Sequence, residues 1–161
     1  MLEELRQRLA DEIDRLMFEL TDTLPKAIRK AVELGDLSEN AEYKSALERQ
    51  QFVQARLNHL TQRAAELSKI DPTQLDPERA GFGSRVLLQD IGSGEEIEYT
   101  IVFGDFIDLD LNQISMASPI GRALLGRVLN DEVHVNLPAG VRSFRIQRLI
   151  TLAHMVDGRR R

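Results

Sequence analysis

A short polar break between two long helical patterns constrains this chain more than any other feature. Residues 2–34 and 38–68 each carry apolar side chains at intervals of three and four, with Gln50 as a polar interruption in the second pattern. That spacing lines one face of a helix. Because so few residues separate the patterns, we expect the two helices to fold back on each other as an antiparallel hairpin. The apolar positions are Leu2, Leu5, Leu9, Ile13, Leu16, Leu20, Leu24, Ala27, Ala31 and Leu34, then Ala46, Val53, Leu57, Leu60, Ala64 and Leu67.

The break itself, residues 35–43, reads Gly-Asp-Leu-Ser-Glu-Asn-Ala-Glu-Tyr and forms the expected tip. Gly35 suits the left-handed position that closes a helix, and Asp36 or Ser38 is expected to cap the next one. Asp36 and Glu39 have the spacing of a capping box, and both carboxylates favour the positive end of the helix dipole. From the residues alone, this structural role for the two acids is the simpler interpretation.

Pro25 is the one irregularity of the first helix. A proline inside a helix removes a backbone hydrogen bond and clashes with the preceding turn. The sequence therefore predicts a kink or local break near residues 21–25.

The second half of the chain changes pattern. Residues 71–80, with two prolines and several acids, have the composition of a linker after a hairpin of residues 1–70. In residues 81–161 the spacing becomes strand-like, with one helix over 118–126 that has proline in its first turn and glycine at its end. We expect a small antiparallel sheet carrying one helix, with a frayed basic tail at Arg159–Arg161. The expected strands are 85–90, 95–102, 113–116, 132–137 and 143–149.

Composition narrows the function classes. The 161 residues carry a net charge of -5, both halves are acidic, and no cysteine is present. This balance argues against autonomous tight binding to nucleic acid and excludes disulfides and thiolate metal sites. No apolar run reaches the roughly 18 residues of a membrane span, so we expect a cytoplasmic protein. The three histidines lack ligand spacing, and no glycine-rich phosphate loop is present.

The tip residues 35–43 resemble the signature of the bacterial Gre family of transcript cleavage factors, which act on stalled RNA polymerase. The second half is also similar to this family, in residues 82–84, 114–115, 118–126 and 138–140. The resemblance implies an α+β chain of two domains, an antiparallel α-helical coiled-coil hairpin followed by a small FKBP-like antiparallel β-sheet domain with one short helix.

The resemblance also implies a mechanism. In the family, the acids matching Asp36 and Glu39 help to hold a catalytic Mg²⁺ that is shared with the polymerase active site. Since Mg²⁺ keeps several waters and needs few protein carboxylates, we expect no tight binding by the free protein. The expected partners are bacterial RNA polymerase and the 3′ end of the nascent RNA, with no membrane, and the chain is expected to be a monomer that stimulates the polymerase without being an enzyme itself. The residues assigned to tip geometry are Gly35, Ser38, Asn40, Glu42 and Tyr43. Glu42 could also assist the water that attacks the RNA, but an ordinary acid in the first turn of the helix is the simpler interpretation.

Two further groups of residues have two interpretations each. Arg49, Arg56 and Arg63, spaced by seven, and the cluster Lys26, Arg29 and Lys30 fit either a solvated helix face with ion pairs or a track for RNA phosphates. Ser118, Pro119 and Ile120 fit either a polymerase contact or a buried helix start.

Three rival functions fit parts of the sequence. The resemblance implies that the hairpin enters the secondary channel of the polymerase, and a Gre-like inhibitory paralogue would occupy that channel without promoting cleavage. A prolyl isomerase or chaperone would need an aromatic-lined pocket, and residues 81–161 contain no tryptophan and only Tyr99 as tyrosine. A structural coiled-coil dimer would not be monomeric. Gre factors are of two types, which release short or long RNA fragments. The sequence does not assign the type, because Leu37, Ala41 and Glu42 resemble the short-fragment type and residues 138–140 resemble the long-fragment type.

Overall fold

The computed structural model describes residues 2–37 and 39–159. The chain divides into two compact units, residues 1–70 and 71–161. The first is helical and the second carries a sheet with a short helix, so the predicted two-part α+β architecture is confirmed.

The first unit is the predicted antiparallel hairpin. Its elements are α1 (Leu2–Phe18), a π-helical turn (Glu19–Thr23), α2 (Leu24–Glu33) and α3 (Ala41–Ser68). Both α1 and α2 pack on α3. The direction follows from cross-helix contacts, since Glu19 meets Arg49 whereas the earlier Glu12 meets the later Arg56.

The π-helical turn confirms the break expected near Pro25 and explains the spacing of the buried residues. Leu24 donates its backbone N–H to Glu19 O, five residues back, just before a proline that has no N–H to donate. Buried positions recur every seven residues on either side of the turn, but Leu16 and Leu24 are eight apart. The wider π turn absorbs that extra residue and keeps both segments facing α3. The buried seam is Leu2, Leu9, Leu16, Leu24 and Ala31 against Ala46, Val53, Leu57, Leu60 and Leu67.

Two positions of the predicted apolar seam are exposed. Ala27 is exposed within α2, and Leu34, the C-cap of α2, is 64% exposed, so the buried seam of this arm ends at Ala31. The end of α2 next to the tip is therefore not held by a buried side chain at position 34.

The second unit is a five-stranded sheet in the order β3-β2-β1-β5-β4. The strands are β1 (Arg85–Asp90), β2 (Glu96–Val102), β3 (Gln113–Ser115), β4 (Glu132–Leu137) and β5 (Gly140–Ile150). Three pairs are antiparallel, but β3 runs parallel to β2, so the expectation of a purely antiparallel sheet was wrong. The reason is the connection: residues 103–112 contain two 3₁₀ turns and bring the chain back to the start of β2, as a parallel pair requires.

The short helix α4 (Pro119–Leu124) packs against the sheet, three residues shorter than the expected 118–126. Leu124 joins a core formed mainly by strand residues. The buried members are Ala80, Val86, Leu88, Ile101, Leu124, Val133, Val135, Phe144 and Ile146.

Two boundaries of the second unit differ from the sequence expectation. The predicted linker 71–80 packs with the sheet at its end, where Ala80 is buried and exchanges backbone hydrogen bonds with Arg127 and Gly126. Arg159, the first residue of the predicted frayed tail, is instead the last residue of α5 (Leu152–Arg159), a helix that the sequence pattern did not predict and whose first residues Leu152 and Ala153 are buried. Arg160 and Arg161 lie outside the described residues. Among the helices described, none combines the length and apolar character that crossing a membrane requires.

Candidate functional site

The hairpin tip presents two acidic side chains on a short turn. Gly35 takes a left-handed conformation with φ +79°, and Asp36 also has a positive φ of +30°. Glu39 donates its backbone N–H to Asp36 O at 3.3 Å, which closes a turn with one acid at each end. Both carboxylate-bearing residues are exposed. The predicted site residues Asp36 and Glu39 thus lie together at the end of the hairpin, while Ser38 lies outside the described residues.

Helix α3 begins later than predicted, and its cap is a different residue. The N-cap is Asn40, whose side-chain Oδ1 accepts a hydrogen bond from Tyr43 N at 3.0 Å. The expectation that Asp36 or Ser38 caps this helix was therefore wrong. The chain stays in the turn through Glu39, so the first helical residue is Ala41.

The other side-chain atom of Asn40 ties α3 to α2. Its Nδ2 donates to Ala31 O at 2.7 Å and to Gly35 O at 3.2 Å. Ala31 lies in the last turn of α2 and Gly35 directly follows its C-cap Leu34; Ala31 O also accepts Leu34 N. One side chain therefore closes the end of one helix and the start of the next.

The remaining residues assigned to tip geometry lie on the same short segment. Tyr43 is half-buried and supplies the amide that Asn40 caps, whereas Glu42 is exposed in the first turn of α3. A carboxylate in that position is favoured by the helix dipole.

The two acids of the tip do not form a complete metal site by themselves. Within residues 2–37 and 39–159, no group of three or more His, Cys, Asp or Glu side chains is arranged to hold a metal ion. Asp36 and Glu39 provide exposed oxygen donors, the ligand type that Mg²⁺ prefers. The residues present therefore fit a site that another molecule completes.

The arginine stripe of α3 makes ion pairs. Arg49 donates to both carboxylate oxygens of Glu19, at 2.6 and 2.9 Å. Arg56 meets Glu12 at 3.4 Å, and Arg63 meets Glu66 on its own helix at 2.7 Å.

The Arg49–Glu19 pair shifts the pKa of both groups. The hydrogen bond from Arg49 lowers the pKa of Glu19 below the ordinary glutamate value, against an opposing effect of burial. The same hydrogen bond raises the pKa of Arg49. Arg49 also lies over the ring of Phe52, 5.1 Å from its centroid.

The acidic partners of this stripe were missed in the sequence, although a signal was present. Glu12 on α1 and Glu19, the first residue of the π-helical turn, are seven residues apart, the same interval as Arg49 and Arg56 on α3. Matching intervals of opposite charge on two antiparallel helices indicate pairing across the seam.

The basic cluster Lys26, Arg29 and Lys30 on α2 is more exposed than the arginine stripe of α3. Lys26 pairs with Asp22 at 3.0 Å, one turn away. Arg29 and Lys30 are exposed, and the described part of the chain offers neither of them an ion pair.

The predicted polymerase contact lies at the corner where α4 begins, in the second unit. Ser118 Oγ accepts from Gly121 N at 3.1 Å and donates to Ser115 O at 2.6 Å. Pro119 is exposed, whereas Ile120 is half-buried and packs against the sheet core. Of the three residues, Pro119 offers the most free surface.

Comparisons with known proteins cover both units. A family model described as transcription elongation factor, N-terminal, matches residues 1–68, and one described as transcription elongation factor, GreA/GreB, C-term, matches residues 75–149. The transcription elongation factor GreA of Trichlorobacter lovleyi is 40% identical over 146 residues, covering 91% of this chain and 92% of that protein. The GreA of Sulfurovum sp. is 37% identical over 150 residues, covering 93% of each.

Solved structures give a weaker likeness. The crystal structure of GreA factor homolog 1 of Thermus thermophilus shares 27% identity, covers 89% of this chain and 93% of its own, and has a TM-score of 0.41. The relationship to known proteins therefore rests on the sequence matches, which extend through both units.

Proposed function

The chain belongs to the GreA/GreB family of transcription elongation factors, and from that premise we propose that it rescues arrested bacterial RNA polymerase by stimulating hydrolysis of backtracked RNA. In this proposal the hairpin enters the secondary channel of the polymerase and carries the tip to the active site. The observation that carries the proposal is the exposed pair Asp36 and Glu39 on a turn at the end of two packed helices.

The tip carboxylates act as ligands in trans. Asp36 and Glu39 contribute oxygen atoms that are insufficient alone, and acids of the polymerase together with an RNA phosphate complete the set. A Mg²⁺ held by this combined set would supply Lewis-acid chemistry, lowering the pKa of an attacking water and stabilising charge at phosphorus during in-line displacement. The role of this chain is delivery and positioning, so the factor alone is not expected to cleave RNA.

The second unit holds the factor at the polymerase surface. The corner at Ser118, Pro119 and Ile120 is the proposed contact, with exposed Pro119 as its leading residue. A chain anchored there keeps the hairpin at high effective concentration near the channel.

Basic side chains of the hairpin supply contacts to the displaced RNA 3′ end. Exposed Arg29 and Lys30 are the better candidates, because Arg49, Arg56 and Arg63 already pair with carboxylates. Phosphate contacts position RNA without reading its sequence, which suits a factor that must act on any transcript.

The test is RNA cleavage in backtracked elongation complexes assembled with a bacterial RNA polymerase, at saturating factor and Mg²⁺. Asp36→Asn and Glu39→Gln keep the size of each side chain, and asparagine tolerates the positive φ at position 36. We expect each variant to lose cleavage at least about a hundredfold, equivalent to about 2.7 kcal/mol of transition-state stabilisation. Glu33→Gln, an exposed acid at the end of α2, is the matched control and should keep full activity.

Two further measurements distinguish a cleavage-stimulating factor from an inhibitory relative and from a factor that cleaves RNA itself. Polymerase affinity is measured by competition, and free RNA is incubated with the factor as a further control. If the wild-type protein binds polymerase but leaves cleavage unchanged or slower, the protein is an inhibitory relative and the proposal is wrong. Cleavage of free RNA by the factor alone would contradict delivery in trans.

A further inference from the structure

The tip turn has little to hold it in shape except hydrogen bonds. Gly35, Asp36, Leu37 and Glu39 are all exposed, so no buried side chain among these described residues of the turn anchors it. Two consecutive residues have positive φ, a conformation that costs free energy at Asp36 because it is not glycine. Such a conformation persists only where the surroundings enforce it.

Asn40 supplies much of that enforcement. Its Nδ2 reaches Ala31 O at 2.7 Å across nine residues and also Gly35 O at 3.2 Å. Ala31 is 2% exposed and belongs to the packed seam, so this bond connects the exposed turn to the rigid part of the hairpin. The turn that carries Asp36 and Glu39 is thereby closed at its base.

We infer that Asn40 is a positioning residue, whose side-chain nitrogen sets the relative placement of the Asp36 and Glu39 carboxylates. This inference rests on the proposed function of those carboxylates and adds a separate residue to it. Asn40 acts through the backbone of the hairpin, to which both its Oδ1 and its Nδ2 are hydrogen-bonded.

The two ends of the Asn40 amide can be tested separately. Asn40→Ser keeps an oxygen that caps α3 and removes both bonds from Nδ2. Asn40→Asp also keeps the cap, with a charge that the helix dipole favours, but it places a carboxylate against the carbonyls of Ala31 and Gly35. Both variants should retain α3 and release the turn.

The experiment measures single-turnover RNA cleavage in backtracked complexes with the full-length protein, as a function of Mg²⁺ concentration. We expect Asn40→Ser and Asn40→Asp to bind polymerase within about twofold of wild type and to keep the helical circular dichroism. The maximal cleavage rate should fall about tenfold to a hundredfold, since misplacement by about 1 Å has effects of that size. The Mg²⁺ concentration for half-maximal rate should rise, because a mispositioned ligand pair holds its ion less well.

Two controls make the result specific. Gln51→Ser changes an exposed polar residue of α3 whose side chain makes no hydrogen bond to the rest of the described chain, and it should behave as wild type. Asp36→Asn reports whether the tip carboxylates matter at all.

Failure of the inference is distinguishable from failure of the proposed function. If wild type does not stimulate cleavage, the proposed function fails and this inference fails with it. If wild type is active and Asp36→Asn is not, but both Asn40 variants match wild type at every Mg²⁺ concentration, only the positioning role is wrong. Loss in Asn40→Asp alone would assign the effect to the added charge, and loss of helix content or polymerase affinity in both variants would make Asn40 a folding residue; either result overturns the inference.

Discussion

The hairpin tip and the corner before α4 use the same local device. At the tip, Asn40 caps α3 and donates back to Ala31 O, which also accepts Leu34 N. At the corner, Ser118 caps α4 and donates back to Ser115 O, which also accepts Ser118 N. In each case one side chain caps a new helix and also donates to a backbone carbonyl at or near the end of the preceding element.

The difference lies in what surrounds each device. The corner rests on a core: Ile120 packs against it, Leu124 is fully buried, and β3 is bonded to β2. The tip has only exposed residues between α2 and Asn40 among those described. Because the side chains of the tip are exposed, packing cannot set the geometry of this turn, and backbone conformation with a few hydrogen bonds must do so.

The largest expected effect tests whether packing sets the corner. Leu124→Ala removes a fully buried side chain at the end of α4 and should destabilise the second unit by about 3 kcal/mol. Native-state hydrogen exchange of the β1 and β5 amides, in the full chain, measures this loss. Leu109→Ala is the control, since Leu109 is 79% exposed and its loss should cost less than about 0.5 kcal/mol. If Leu124→Ala costs no more stability than the control Leu109→Ala, packing does not set the corner and the contrast between the two regions is lost.

An intermediate effect tests whether backbone conformation sets the tip. Gly35→Ala meets no atom within 4 Å, so its cost comes from the positive φ alone and should be about 1 kcal/mol. Gly35→Asn should cost less, because asparagine visits the left-handed region more readily. Hydrogen exchange at the end of α2 and the start of α3 reports the change. Gly81→Ala, with open space and no positive φ, should be nearly neutral, and an equal loss at both glycines would contradict the conformational explanation.

The same contrast explains how far the sequence predicts the structure. Periodicity predicts the hairpin and the strands because burial enforces it, and Pro25 predicts a break because its chemistry is local. Neither indicates that the break is a π turn, which depends on keeping Leu16 and Leu24 on one face of the packed pair.

The errors arose where tertiary contacts decide between equally good local choices. Asp36, Ser38 and Asn40 are all favoured N-cap types, and the bond from Asn40 to Ala31, nine residues away, distinguishes Asn40. The direction of β3 has no signature in its own residues, since side chains alternate in parallel and antiparallel strands alike. At the candidate site, the motif indicated Asp36 and Glu39 and assigned Asn40 to tip geometry, but the atoms to which Asn40 is hydrogen-bonded became clear only from the structure.

The smallest expected effect concerns a polar contact further down the hairpin, the Glu19–Arg49 ion pair. Glu19→Gln should lower the melting temperature by about 2 °C near pH 7, the scale of an exposed ion pair in a small domain. Because Arg49 lowers the pKa of folded Glu19, the stabilisation is complete above the unfolded glutamate pKa of about 4.3 and is lost as the pH falls through the lower folded value. Thermal unfolding of both proteins between pH 7 and pH 2 should therefore show a difference that shrinks from about pH 4 downward.

The difference between wild type and Glu19→Gln reports the pH dependence due to Glu19 and cancels that due to Asp90, an acid of the second unit. Asp90 also has a lowered pKa, chiefly through its hydrogen bond from Arg142, and that contribution is the same in wild type and variant. Glu48→Gln, which removes an exposed acid of α3 without a described ion pair, controls for net charge. A Glu19→Gln difference that stays constant with pH would mean that the ion pair adds nothing to the packed seam.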